Sequence, residues 1–121
     1  MTTNLNSWLK DSVTIHDYGY TRIQDRRKQL VCNDGTTLSV QASDTHWCSP
    51  RSSYVDYYTD DIEYFDYSSV EVWCVSTDVP DSWSDYGDND DPYAYIPVTL
   101  VEEFIDSHGG IKEWPLNTSM D

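Results

Sequence analysis

His46-Trp47-Cys48-Ser49-Pro50-Arg51 is the densest run of chemically competent side chains in this chain. In an extended backbone alternate side chains share a side, which would bring His46 and Cys48 together. A thiol beside an imidazole is the pairing that activates a cysteine nucleophile. No third group that would orient the pair is evident in the sequence, so no residue is assigned as catalytic. Ser49 and Arg51 suggest a second chemistry. A guanidinium fork, a hydroxyl and loop N–H groups can hold a phosphate, while Trp47 can stack on a base. On that reading His46, Trp47, Ser49 and Arg51 form a pocket for a nucleotide-type anion. On the plainer reading Arg51 neutralises a neighbouring acid and Trp47 fills the core.

Other motifs are weaker. His16, His46 and His108 are far apart, and with Cys48 they offer no ligand pair at the usual spacing, so no metal is expected. His108 falls near the end of a predicted helix, where the helix dipole favours a cation. Asp85-Tyr86-Gly87-Asp88-Asn89-Asp90-Asp91 is rich in oxygen ligands. It lacks the ordered spacing and closing Glu of a calcium loop and reads as a solvated acidic turn. There is no glycine-rich phosphate loop, GxSxG or HExxH, and carboxylates are too abundant for one acid–base pair to stand out. The expectation is a protein that is not an enzyme and needs no cofactor.

Charge says more. From Ser52 to Ile111 there is no lysine or arginine, and acids and bases balance elsewhere, so this half holds the whole formal net charge of -15. Its acids are interleaved with tyrosines. The candidate partner-binding residues are Asp56, Tyr57, Tyr58, Asp60, Asp61, Glu63, Tyr64 and Asp66, followed by Asp85, Asp88, Asp90 and Asp91. Such a surface repels nucleic acid and anionic membranes and draws in basic partners over a long range.

The elements that must carry these residues are short. Asn4 to Lys10 reads as a short helix or a turn that Asn4 can cap, with Leu5, Trp8 and Leu9 on one face at helical spacing. Arg22, Arg26, Arg27 and Lys28 form a basic patch. It reads as a solvated strand edge or loop, or as a counter-charge or subunit contact for the acidic half, which leaves a homodimer open. Two alternating runs, Gln29–Asn33 and Thr36–Ser43, flank Asp34-Gly35 and predict a hairpin with a type I′ turn. Asp44–Ser53 is a loop. Tyr54–Tyr67 has no clean helical period and reads as a loop or an edge strand.

Ser68–Ser76 predicts a strand with Val70, Val72 and Cys74 pointing one way and Glu71, Trp73 and Val75 the other. Thr77–Pro92 is a loop, and Tyr93–Ile96 a short strand. Pro97–Ser107 predicts a helix that starts on Pro97, buries Val98, Val101, Phe104 and Ile105, and ends at Gly109-Gly110 with Ile111 packing back. Lys112–Asp121 is expected to be a flexible tail that frays after Trp114-Pro115. The sum is α+β: a small antiparallel sheet with a C-terminal helix packed on it. One domain is expected over 1–121, with its core within 28–111.

The chain has 121 residues, of which 38% are hydrophobic, with five Trp and ten Tyr. That aromatic content argues for a folded domain despite the charge. No apolar run is long enough to cross a bilayer, and Met1–Lys10 lacks the features of a secretory signal, so a cytoplasmic location is expected. Cys32, Cys48 and Cys74 are expected as free thiols, buried where they lie in strands.

Ser39-Val40-Gln41-Ala42-Ser43, His46-Trp47-Cys48-Ser49-Pro50-Arg51, Val70-Glu71-Val72, Tyr95-Ile96-Pro97-Val98 and His108-Gly109-Gly110-Ile111 together resemble a family of small, largely uncharacterised bacteriophage proteins. The resemblance spans roughly residues 28 to 111, and the Tyr54–Tyr67 stretch departs from it as an insertion. It implies a viral origin and a host-cell setting, and no activity. With the charge pattern it gives the leading expectation: an inhibitor of a host antiviral defence protein with a basic surface, working as a nucleic-acid mimic without binding nucleic acid or membrane. The alternatives are a protein that sequesters a nucleotide-type defence signal at the His46–Arg51 loop, and a virion or assembly component.

Overall fold

Asn4 opens the first helix with its own side chain: its Oδ1 accepts the Ser7 N–H at 3.0 Å. Helix α1 (Leu5–Asp11) then buries Leu5, Trp8 and Leu9, as the spacing predicts. The structure, a computed structural model, describes residues 3–12, 15–17, 22–24, 27–43, 46–49, 66–88 and 92–114. After α1 come β1 (Ile15–Asp17) and β2 (Arg22–Gln24), an antiparallel pair that the sequence did not announce.

The main sheet has four strands in chain order: β3 (Leu30–Val31), β4 (Thr37–Gln41), β5 (Ser69–Trp73) and β6 (Tyr93–Pro97), all antiparallel. Helix α2 (Val98–Ser107) follows and packs on the sheet, which establishes the α+β class. Leu38 and Val40 of β4, Val70 and Val72 of β5, and Ile96 of β6 meet Val101, Phe104 and Ile105 of α2 in one core. Each large apolar side chain fully buried there contributes about 1.5–3 kcal/mol. Helix α1 joins this core. Its start is held by acids of α2: Glu102 accepts the Leu5 N–H at 2.9 Å, and Asp106 accepts the Thr3 N–H at 2.9 Å. At the other end Lys112 N–H donates to Val31 at 2.8 Å and the Trp114 indole donates to Asp11 at 2.6 Å, so order continues past Ile111.

Three local readings are corrected. The β3–β4 turn is not type I′. Gly35 alone takes positive φ (92°), whereas a type I′ turn would place Asp34 in the left-handed region as well. Gly35 N–H donates to Cys32 at 3.0 Å and Cys32 N–H to Thr36 at 2.8 Å, the longer loop with a glycine bulge.

Strand β5 ends at Trp73 because Cys74 adopts φ 53°. That reversal turns Cys74 out to solvent and Val75 into the core, opposite to the expected alternation. The third correction concerns Thr77–Pro92. Its described residues carry a 3-10 turn, Asp81–Asp85, whose Trp83 is 0% exposed and packs on Tyr93 and Phe104 at ring distances of 5.3 and 5.1 Å.

The C-terminus of α2 closes as predicted. Gly109 and Gly110 take φ 91° and 82°, and Gly110 N–H returns to Ile105 at 3.0 Å. Pro97 precedes the first helical residue, with φ -56° and ψ 135°, and serves as the N-cap.

Candidate partner-binding surface

The His46–Ser49 segment is held by hydrogen bonds at each of its four residues. His46 Nδ1 meets the Ser43 hydroxyl at 2.6 Å, and the Cys48 thiol donates to the Ser43 carbonyl at 3.2 Å. The two side chains thus turn to Ser43, and Cys48 is fully buried. Ser49 pairs with Ser69 at the start of β5 through Ser49 N–H to Ser69 at 3.2 Å and Ser68 N–H to Ser49 at 2.8 Å. Trp47 is left facing solvent, 51% exposed, and does not fill the core.

Trp47 is placed by two neighbours on the sheet. Its N–H donates to the Glu71 carboxylate at 3.1 Å, and its carbonyl accepts the Tyr95 N–H at 3.1 Å. The second bond requires an irregular β6. Pairing with β5 slips between Val70 and Val72, and Tyr95 takes φ 55°, which is unusual for a bulky residue. The bulge swings Tyr95 outward, where its ring meets Trp47 edge-on at 5.9 Å. Glu71 and Trp73 share the outward phase of β5, as the alternation predicts. The resulting patch is aromatic with a carboxylate among the rings.

Among the described residues, carboxylates elsewhere include two contrasting sets. Glu102 and Asp106 are spent on α1, and Asp34 on the hairpin. Asp34 accepts the Thr36 N–H at 2.9 Å and meets His108 Nδ1 at 2.5 Å. The Thr36 bond first, and His108 second, hold the Asp34 carboxyl down at about 2. His108, its ring tilted against Phe104 at 4.4 Å, therefore ties the helix end to the β3–β4 turn and does more than face the helix dipole. By contrast Asp78, Asp81 and Asp85 are exposed around the 3-10 turn and form no ion pair among the described residues. Trp83 anchors that turn in the core, so these acids are presented from a fixed base.

The basic patch is corrected at one position. Arg27 is interior, 3% exposed, with Nε donating to Leu9 at 3.0 Å and an Nη to Ala42 at 2.8 Å, and its backbone exchanging bonds with the Gln41 amide. It ties α1 to the end of β4. Lys28 is exposed.

Of the residues expected to bind a partner, Asp66, Asp85 and Asp88 are described, and all three are exposed. Asp56, Tyr57, Tyr58, Asp60, Asp61, Glu63, Tyr64, Asp90 and Asp91 lie outside the described residues, as does Arg51. Tyr67, at the end of that acidic stretch, belongs to the core and is fastened to the Asn6 amide by bonds of 2.8 and 3.0 Å. Glu71, Trp73 and Tyr95 were not singled out as a site from sequence. The phase of β5 could have found the first two, but the bulge that exposes Tyr95 has no sequence signal. No group of three or more potential metal ligands occurs among the described residues, and no helix among them is long and apolar enough to cross a membrane. In comparisons with known proteins, no family model, no curated protein and no solved structure matches this chain.

Proposed function

We propose that the protein is a non-catalytic binder of a basic, nucleic-acid-binding protein surface, with its carboxylates taking the place of phosphates. The resemblance to small bacteriophage proteins sets this in a host cell, with a defence protein as the target and inhibition as the outcome. The observation that carries the reading is the loop at Asp78–Asp88: exposed acids on a turn whose Trp83 is fixed in the core, within a chain of net charge -15. Carboxylates held on a rigid base need little ordering on binding, and their summed field speeds encounter with a cationic groove. The nucleotide-pocket alternative is disfavoured by Glu71. Its carboxylate lies 3.1 Å from the Trp47 nitrogen, where it would repel a phosphate.

Capture of partners from bacterial lysate with the tagged protein, at low and high salt, tests the reading. A nucleic-acid-binding protein should be retained at low salt, shed at high salt, and displaced by duplex DNA. Retention that neither salt nor DNA alters would overturn it, as would recovery of a stoichiometric nucleotide with no protein.

A further inference from the structure

Beside the outward-facing Glu71 of β5 lie large exposed aromatic rings that a purely electrostatic contact does not use. Trp47 is 51%, Tyr95 39% and Trp73 37% exposed. Clustered exposed aromatics mark interaction surfaces more often than chance, and Trp and Tyr dominate the energetics of such contacts. Here two rings are fixed nearly at right angles, 68° between planes, by the Tyr95 bulge. The Glu71 carboxylate is tethered beside them to the Trp47 N–H. Trp73 follows two residues along the same face, about 7 Å away by the strand rise. One hydrogen bond leaves a carboxylate with further acceptor positions.

We propose that this patch receives an arginine side chain of the basic partner, its guanidinium stacked on Trp47 or Tyr95 and its N–H groups bonded to Glu71. The inference rests on the reading of the protein as a binder of basic surfaces and names one contact within it. Arginine suits the site better than lysine because its charge is planar, weakly hydrated and forked, so it can stack and bind a carboxylate at once. A nucleic-acid base could also stack there, but its phosphates would meet Glu71 and a net charge of -15. A second copy of this chain brings 22 acids against seven Lys and Arg, and so mostly like charge.

The test is a titration of the full chain with octa-arginine, octa-lysine and an eight-nucleotide oligo-dT at one fixed low salt, read by the indole N–H resonances in NMR. Octa-arginine should bind about fivefold more tightly than octa-lysine. It should move the Trp47 and Trp73 resonances and leave that of Trp83 in place. Trp47→Ala, and independently the shape-conserving Glu71→Gln, should erase the preference while both peptides still bind through charge. Equal binding of the two peptides with the Trp47 resonance unmoved would overturn the arginine site and leave the basic-surface reading standing. Failure of both peptides to bind would remove that reading as well. Oligo-dT moving the same resonances would overturn the assignment of a basic partner.

Discussion

Strand β6 carries two tyrosines, Tyr93 and Tyr95, and each meets a tryptophan edge-on, yet the two pairs have opposite fates. Tyr93 and Trp83 touch at 5.3 Å inside the core, and Trp83 is 0% exposed. Tyr95 and Trp47 touch at 5.9 Å on the surface. The difference comes from the backbone between them: the bulge and the positive φ of Tyr95 turn one ring in and the next out. Burial, and then the nearby Asp88, raise the Tyr93 hydroxyl's pKa. The carboxylates divide in the same way. Asp34, Glu102 and Asp106 are consumed by the fold, whereas Asp78, Asp81 and Asp85 face solvent. One set of residue types thus supplies both the framework and the surface that the framework displays, and the two can be separated by mutation.

The largest separation is expected between the two tryptophans. Trp83→Ala should cost about 3–5 kcal/mol, because a fully buried ring is replaced by a cavity beneath the acidic turn. Trp47→Ala should change stability by about 0.5 kcal/mol or less, as for an ordinary surface site. Chemical denaturation midpoints check both, and similar losses for the two variants would break the comparison. Next in size is Arg27→Met, which keeps the apolar stem but removes the donors to Leu9 and Ala42. A loss of about 2–3 kcal/mol is expected from leaving those buried carbonyls without that donor. A loss no greater than that of Lys28→Met, an exposed neighbour, would show that Arg27 belongs to the surface set.

Asp34 gives a smaller effect with a defined pH window. Its folded pKa of about 2 lies below the ordinary 3.8, so the folded state holds this proton less tightly than the unfolded chain. The stability it contributes is therefore present above the ordinary value and lost as pH falls through that value towards about 2. Comparing wild type with Asp34→Asn by denaturation across this range should show the difference between them shrinking as pH falls. A difference that is constant with pH would mean the carboxylate is not what holds the turn.

Much of the framework was legible in the residues because its causes are local. Asn4 names its own helix start, the Val98–Ile105 spacing gives the buried face of α2, Gly109-Gly110 gives its end, and alternation gives the phases of β4 and β5. What was not legible depends on contacts distant in sequence or on single backbone reversals. Arg27 looked like one of several solvated cations until α1 and the end of β4 closed over it. Trp83 sits in a segment of Asp, Ser and Pro whose composition signals only a loop, and its burial is decided by Tyr93 and Phe104. Cys74 and Tyr95 take left-handed conformations that neither residue type advertises, and those two reversals decide that Val75 points in and Tyr95 out. The candidate surface was legible as charge and not as shape: the acids were visible, whereas the Trp47–Tyr95–Glu71 arrangement needed the bulge.

Our proposal is that exposed acids on a fixed turn drive binding. Its most direct test is the triple charge reversal Asp78→Lys/Asp81→Lys/Asp85→Lys, assayed for affinity to the captured partner across a salt series alongside a thermal melt. The variant should melt no lower than wild type, because these acids form no ion pair among the described residues. Its affinity should fall tenfold or more at low salt, with a flatter salt dependence. A variant that melts like wild type and binds its partner as tightly, with the same salt slope, would contradict it.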